Sequence, residues 1–156
     1  MVYEVRFHGR GGQGAVMGAQ ALAVAAAHDG FHAIAFPFFG AERRGAPVLA
    51  FARFGKARLR TRTQVYQPQF VVVMDESLIE TVDVLAGLQE GGMGVVDTTR
   101  APEKVHLSQA VKAATVDATT IALEHTGQAA VNTAMLGAFA KATGLLTLEG
   151  VEVGIR

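Results

Sequence analysis

The residues best suited to chemistry lie at the start of the chain, in His8-Gly9-Arg10-Gly11-Gly12-Gln13-Gly14-Ala15. Gly9, Gly11 and Gly14 satisfy G-x-G-x-x-G, and Gly12 adds a fourth glycine within six residues. Glycine lets the backbone turn tightly and leaves its N–H groups uncovered. A helix beginning directly after them adds a partial positive charge, and together they make a receptor for phosphate or another anion. Arg10 would contribute a formal charge, and Gln13 a hydrogen bond to a ligand or to a facing loop. A dinucleotide enzyme of the NAD type also needs an acidic residue at the end of the second strand. Here that position reads Phe36-Pro37-Phe38-Phe39, and the first acid is Glu42, inside a loop. Arg43 and Arg44 follow at once, which favours a phosphate-bearing ligand of the NADP or coenzyme A kind over NAD. Their loop, framed by Gly40, Gly45, Pro37 and Pro47, is expected to share one rim with the glycine loop, because loops after strands gather at the same sheet edge. Asn132 opens a later helix and is a candidate for capping or for ligand contact.

Other chemistry is sparse. G-x-S-x-G, H-E-x-x-H and G-x-x-x-x-G-K-[ST] are all missing. The five histidines are scattered without metal-ligand spacing, and only His8, beside the glycine loop, invites a test. Asp75, Asp97 and Asp117 each follow an expected strand, where capping is the simplest role.

The elements that position these residues alternate. Val2–His8 reads as a strand, Ala15–His28 as a helix stopped by Asp29-Gly30, and Phe31–Phe36 as a second strand. Val48–Phe54 and Ala57–Thr61, flanking Gly55-Lys56, suggest a β-hairpin. The run Phe70-Val71-Val72-Val73-Met74 suggests a strand covered on both faces. Glu76–Leu88 has helical spacing of Leu78, Ile79, Val82 and Leu85. Short strands at Gly94–Val96 and Ala114–Val116 precede helices at Ala118–His125, at Val131–Thr143 and after Thr147. The expected fold is α/β: a Rossmann-like, open, mainly parallel sheet with helices on both faces and an antiparallel hairpin insertion, forming a single domain over 1–156.

Composition narrows the function classes. The 156 residues include 50% apolar and 18% charged side chains, enough for a real core. With no cysteine, the chain cannot build a disulfide or a thiolate-held metal cluster of its own. A net charge of zero argues against general nucleic-acid binding. No apolar run approaches membrane-spanning length, and MVYEVRFHGR lacks a signal-peptide pattern, so a cytoplasmic protein is expected. Charge is nonetheless uneven: residues 1–78 hold nine Lys/Arg against five Asp/Glu. Arg53, Lys56, Arg58, Arg60 and Arg62 read either as a solvated hairpin edge or as a docking surface for an acidic partner.

Four segments together resemble the gamma domain of the 2-oxoacid:ferredoxin oxidoreductases: HGRGGQGAV, FPFFGAERRGAPV, VDATTIALE and VNTAMLGAFAKATG. The ERRGAPV form is similar to the pyruvate and branched-chain branch. The resemblance implies a subunit of an enzyme in which a 2-oxoacid, coenzyme A and oxidised ferredoxin give acyl-coenzyme A, carbon dioxide and reduced ferredoxin. It implies alpha, beta and delta-type partner subunits that carry thiamine diphosphate and the iron–sulfur clusters, and a chain that is inert alone. The apolar excess separately allows a homodimer of the isolated chain, through the surface its partners would cover. Gly9 through Gly14, Arg43, Arg44 and Asn132 are then expected to wall a shared coenzyme A site or to contact the other subunits. A purely structural assembly subunit and an independent NADP-binding reductase are the competing readings.

Overall fold

Alternation along the first segment sorts its side chains into two sets, and both prove to be buried. In the computed structural model, which describes residues 1–38, 45–59, 64–105, 107, 111–127 and 131–156, strand β1 (Val2–Arg10) turns Val5 and Phe7 into the main apolar core. By the period of two, Glu4, Arg6, His8 and Arg10 face the opposite side of the sheet. The other strands are β2 (His32–Pro37), β3 (Pro47–Gly55), β4 (Phe70–Val73), β5 (Met93–Asp97) and β6 (Lys112–Val116). Their order is β2-β3-β1-β4-β5-β6. β1, β4, β5 and β6 run parallel, while β3 is antiparallel to both β1 and β2. The sheet is therefore open and mainly parallel, with one reversed strand inserted. β4 has the expected double cover, with Val71, Val72 and Val73 all 0% exposed.

The antiparallel insertion has a different partner from the one its sequence suggests. β3 pairs with β2 along His32↔Gly55 to Pro37↔Ala50, not with residues after Lys56. Both hydrogen-bonding edges of β3 are taken, by β1 and β2, so no edge is left for a ladder to Ala57–Leu59, which form no strand. Arg60, Thr61 and Arg62 lie outside the described residues. Arg53 is likewise not an edge charge. It is 7% exposed, pairs with Glu4 directly across the ladder at 2.6 Å, and stacks its guanidinium over Phe36.

One face of the sheet carries the regular helices: α1 (Ala15–His28), α3 (Ala118–Thr126), α4 (Asn132–Thr143) and α5 (Leu148–Ile155). Small side chains at Ala15, Gly18, Ala19 and Ala25 let α1 lie close on the strands. The other face is covered by the short helix α2 (Leu78–Thr81), a 3-10 turn at Pro102–Lys104 and connecting turns. The expected helix over 76–88 is thus cut to one turn. Val82 is extended, and the chain continues in turns that bring Val84 beside Leu78, against Val73 and Val96. Burying both Leu78 and Val84 on a flat sheet overrides local helix preference. No described helix is long and apolar enough to cross a membrane.

Asp29 joins the two ends of the helical layer. Its backbone N–H closes α1 on the Ala25 carbonyl, its carboxylate accepts from the N–H and hydroxyl of Thr147 at 2.7 and 2.6 Å, and the Thr147 hydroxyl in turn accepts from Gly150 N–H to cap α5. Asp29→Ala is expected to lower stability by about 1–2 kcal/mol, read as a shift in urea midpoint with unchanged slope.

Candidate functional site

Strand order decides where a ligand-receptive crevice forms. From β1 the chain crosses by way of α1 to β2 on one side, while β4 adds on the other side. The C-terminal end of β1 is therefore the point at which connections diverge, the usual crevice of an open α/β sheet. The glycine loop stands there. Gly14 is left-handed (φ 84°), a conformation that glycine reaches without Cβ strain, and α1 starts at the next residue.

The loop is tied to both neighbours. Gly11 N–H donates to the Ala46 carbonyl at 2.8 Å, and Gly45 N–H donates to the Gly11 carbonyl at 3.2 Å. The segment just after Arg43-Arg44 is thereby fastened to the glycine loop; Arg43 and Arg44 themselves lie outside the described residues. Gln13 turns to the facing loop: its Oε1 accepts from Arg10 N–H at 2.7 Å and its Nε2 donates to Asp75 at 3.0 Å. The Arg10 guanidinium is spent internally, 3.3 Å from Asp75 and donating to Ser77 Oγ and the Gly45 carbonyl. Partial burial pushes the Asp75 pKa up. The hydroxyl and N–H of Ser77, the Gln13 amide and Arg10 outweigh that and hold it below the usual carboxylate value. Arg10 and Gln13 thus brace the loop, and the unused donors are the amides of Gly12 and Gly14, which have no hydrogen-bond partner among the described residues.

Asn132, at the start of α4, comes to the same place. A Cβ on Gly14 would stand 2.8 Å from its Nδ2, while its Oδ1 accepts from Thr133 N–H. Gly12, Gly14, Asn132 and Thr133 border one cleft of about 470 Å³, onto which the N-terminal ends of α1 and α4 both open. Two helix N-termini and free backbone amides there favour a negatively charged group.

The three aspartates gather along the sheet edge beside Gln13. Asp117 caps α3 through Thr120 N–H at 3.1 Å, and Asp97 accepts from the N–H and hydroxyl of Thr119. Among the described residues no group of three His, Cys, Asp or Glu side chains could hold a metal ion. Sequence reasoning did miss one constellation. Arg6 and His8, 5% and 3% exposed, form a buried pair on the face of the sheet away from α1. The signal was present in the alternation Glu4, Arg6, His8, Arg10, which on a central strand puts four polar groups on one covered face and buries the middle two.

A Rossmann-like sheet with a glycine loop at its switch point defines a class, the open α/β domain with a loop crevice at the strand ends. Within that class, residues 4–156 match the family described as pyruvate ferredoxin/flavodoxin oxidoreductase. The chain is 55% identical over 156 residues to the pyruvate/ketoisovalerate oxidoreductases common subunit gamma of Thermococcus litoralis, spanning 98% of this chain and 84% of that one. It is 50% identical over 153 residues to pyruvate synthase subunit PorC of Methanosarcina barkeri, with the same shares covered. The crystal structure of pyruvate oxidoreductase subunit PORC from Thermotoga maritima superposes with a TM-score of 0.83 at 40% identity, covering 97% of this chain and 82% of that one. The chain belongs to the pyruvate ferredoxin/flavodoxin oxidoreductase family, in its gamma-subunit group.

Proposed function

We propose that this chain is the gamma subunit of a pyruvate- or branched-chain 2-oxoacid:ferredoxin oxidoreductase, and that it supplies a wall of the coenzyme A site and a joint between subunits. The reaction converts a 2-oxoacid and coenzyme A to acyl-coenzyme A and carbon dioxide, with electrons passing to ferredoxin. Alpha, beta and delta-type partners carry thiamine diphosphate and the iron–sulfur clusters, in keeping with a chain that has no cysteine. The relatives named as common gamma subunits and pyruvate synthase subunits support the enzyme class.

The observation that carries the coenzyme A part is the cleft at the switch point. Gly12 and Gly14, whose amides have no partner among the described residues, line it together with Asn132 and Thr133 at the start of α4. The hydrogen bonds of Gly45 and Ala46 to Gly11 fasten the segment that follows Arg43-Arg44 to the glycine loop, which supports a role for the arginine pair there. Phosphate groups match that donor set, and guanidinium groups add charge-assisted hydrogen bonds. In the assembled complex, Arg43→Ala with Arg44→Ala is expected to weaken coenzyme A binding by roughly tenfold or more, with the subunits still copurifying. Unchanged affinity in an intact complex would remove the coenzyme A role. Failure to copurify would leave the loop with an assembly role alone.

A further inference from the structure

Three arginines sit low on the same face of the sheet or at its rim, and the protein treats one of them differently. Arg53, 7% exposed, has Glu4 at 2.6 Å. Arg10 has Asp75 at 3.3 Å. Arg6, 5% exposed, has no carboxylate oxygen within 4.0 Å among the described residues. Its Nε donates to His8 Nε2 at 2.8 Å and its Nη2 to the Val84 carbonyl at 3.0 Å. Both acceptors are neutral, since a ring nitrogen that accepts from a guanidinium carries no proton. Burial first, and then the Arg6 charge, together lower the His8 pKa to about 3, so the ring brings no second charge at neutral pH. Arginine does not shed its own proton. A guanidinium buried without a counter-ion is costly, and a negative charge brought to it would recover much of that cost.

The space for that charge exists. Arg6 and His8 line a cavity of about 500 Å³, within the range of small-ligand sites. Its walls are apolar: Pro37 and Leu49 from β2 and β3, and Leu78 and Val82 from α2 and the residue after it. Burial lowers the Arg6 pKa, and Asp83, an exposed residue also among the lining, partly opposes that from outside ion-pair distance. One buried cation and largely hydrocarbon walls, with Gln64 among the lining, suit a single negative charge on an apolar body; the Asp83 carboxylate opposes anion binding and so limits the site to one charge. They do not suit a phosphate or a polyanion, which the glycine-loop cleft serves better.

We infer that this cavity is a binding site for a small monocarboxylic acid, whose carboxylate meets the Arg6 guanidinium and whose hydrocarbon chain lies between β3 and α2. The cavity borders the glycine loop at Gly9 but shares no lining residue with the Gly12–Gly14 cleft, and it does not depend on the coenzyme A reading.

The test uses the full chain with hexanoate as probe and hexanamide, the uncharged analogue, as control. Calorimetry is expected to show one saturable hexanoate site per chain, with hexanamide weaker by roughly tenfold or more. The NMR signals of the Arg6 Nε–H and the His8 ring should shift on hexanoate addition. Arg6→Gln, in a chain shown to be folded, should abolish the preference for the acid; if that variant does not fold, the wild-type comparison of acid and amide decides alone. Equal binding of the two probes, shifts confined to the glycine loop, or undiminished hexanoate binding by folded Arg6→Gln would overturn the proposal. So would Arg6 signals that ignore hexanoate and move only when the other subunits are added, because the carboxylate would then come from a neighbouring chain.

Discussion

Between pH 7 and pH 4 the chain is expected to lose about 3 kcal/mol more stability than its His8→Gln variant. His8 is 3% exposed, and burial first, then the adjacent Arg6 charge, lower its pKa from 6.5 to about 3, against a smaller opposing effect of the Val84 carbonyl. The sign follows from proton counting. Between those two values the unfolded chain binds a proton at this residue and the folded chain does not. Stability from His8 is therefore complete above about pH 6.5 and drains away as pH falls toward the folded value. Each pH unit inside that window is worth up to about 1.4 kcal/mol. Glutamine keeps a neutral acceptor for Arg6 Nε and does not titrate. Carboxylates that protonate near pH 4 do so in both proteins and cancel in the difference. Urea unfolding at several pH values checks this; parallel pH profiles for the two proteins would show that the ring takes a proton in the folded state at little cost.

Gly87→Ala is expected to cost about 3 kcal/mol, and more if the neighbouring turn cannot move. Gly87 has a φ of 72°, in the left-handed region that favours glycine. A Cβ there would also press into the Tyr66 carbonyl oxygen, a backbone atom that no rotamer change can remove. The strain falls on a defined joint. Gln89 N–H donates to the Pro68 carbonyl at 2.9 Å, and its side chain donates to the Gln67 carbonyl at 2.8 Å. These bonds hold the turns after α2 against the segment that leads to β4. Thermal unfolding should show the loss. Gly91→Ala, at a similar φ of 78° but with no atom near its Cβ, isolates the backbone part. If the two variants lose the same stability, the close approach to Tyr66 contributes nothing.

The readings that held were those with a local cause. α1 begins after Gly14 and ends at Asp29 because glycine, helix-forming alanines and a closing Asp-Gly act within a few residues. Thr147 caps α5 through Gly150 by the same short-range chemistry. The failures share a different origin. Arg53 looked like an edge charge because nothing near it in the sequence says that β2 and β1 flank β3 on both sides. The 76–88 helix looked periodic, yet Val84 finds its place on the sheet only if the chain unwinds at Val82.

The sequence by itself determined the class of fold, the glycine turn, the Asp117 cap and the family, because each is written in neighbouring residues or in short contiguous motifs; the capping expected of Asp75 and Asp97 gave way to bonds with Gln13 and Ser77 and with Thr119. Only the tertiary structure decided that Gly11 bonds to the segment after the arginine pair, that Arg10 is consumed by Asp75, and that Arg6 is buried beside a neutral histidine with no ion-pair partner among the described residues. Those outcomes depend on which strands become neighbours and which edges remain unpaired. Both are set by burial and hydrogen bonding across dozens of residues, where local preference carries no information.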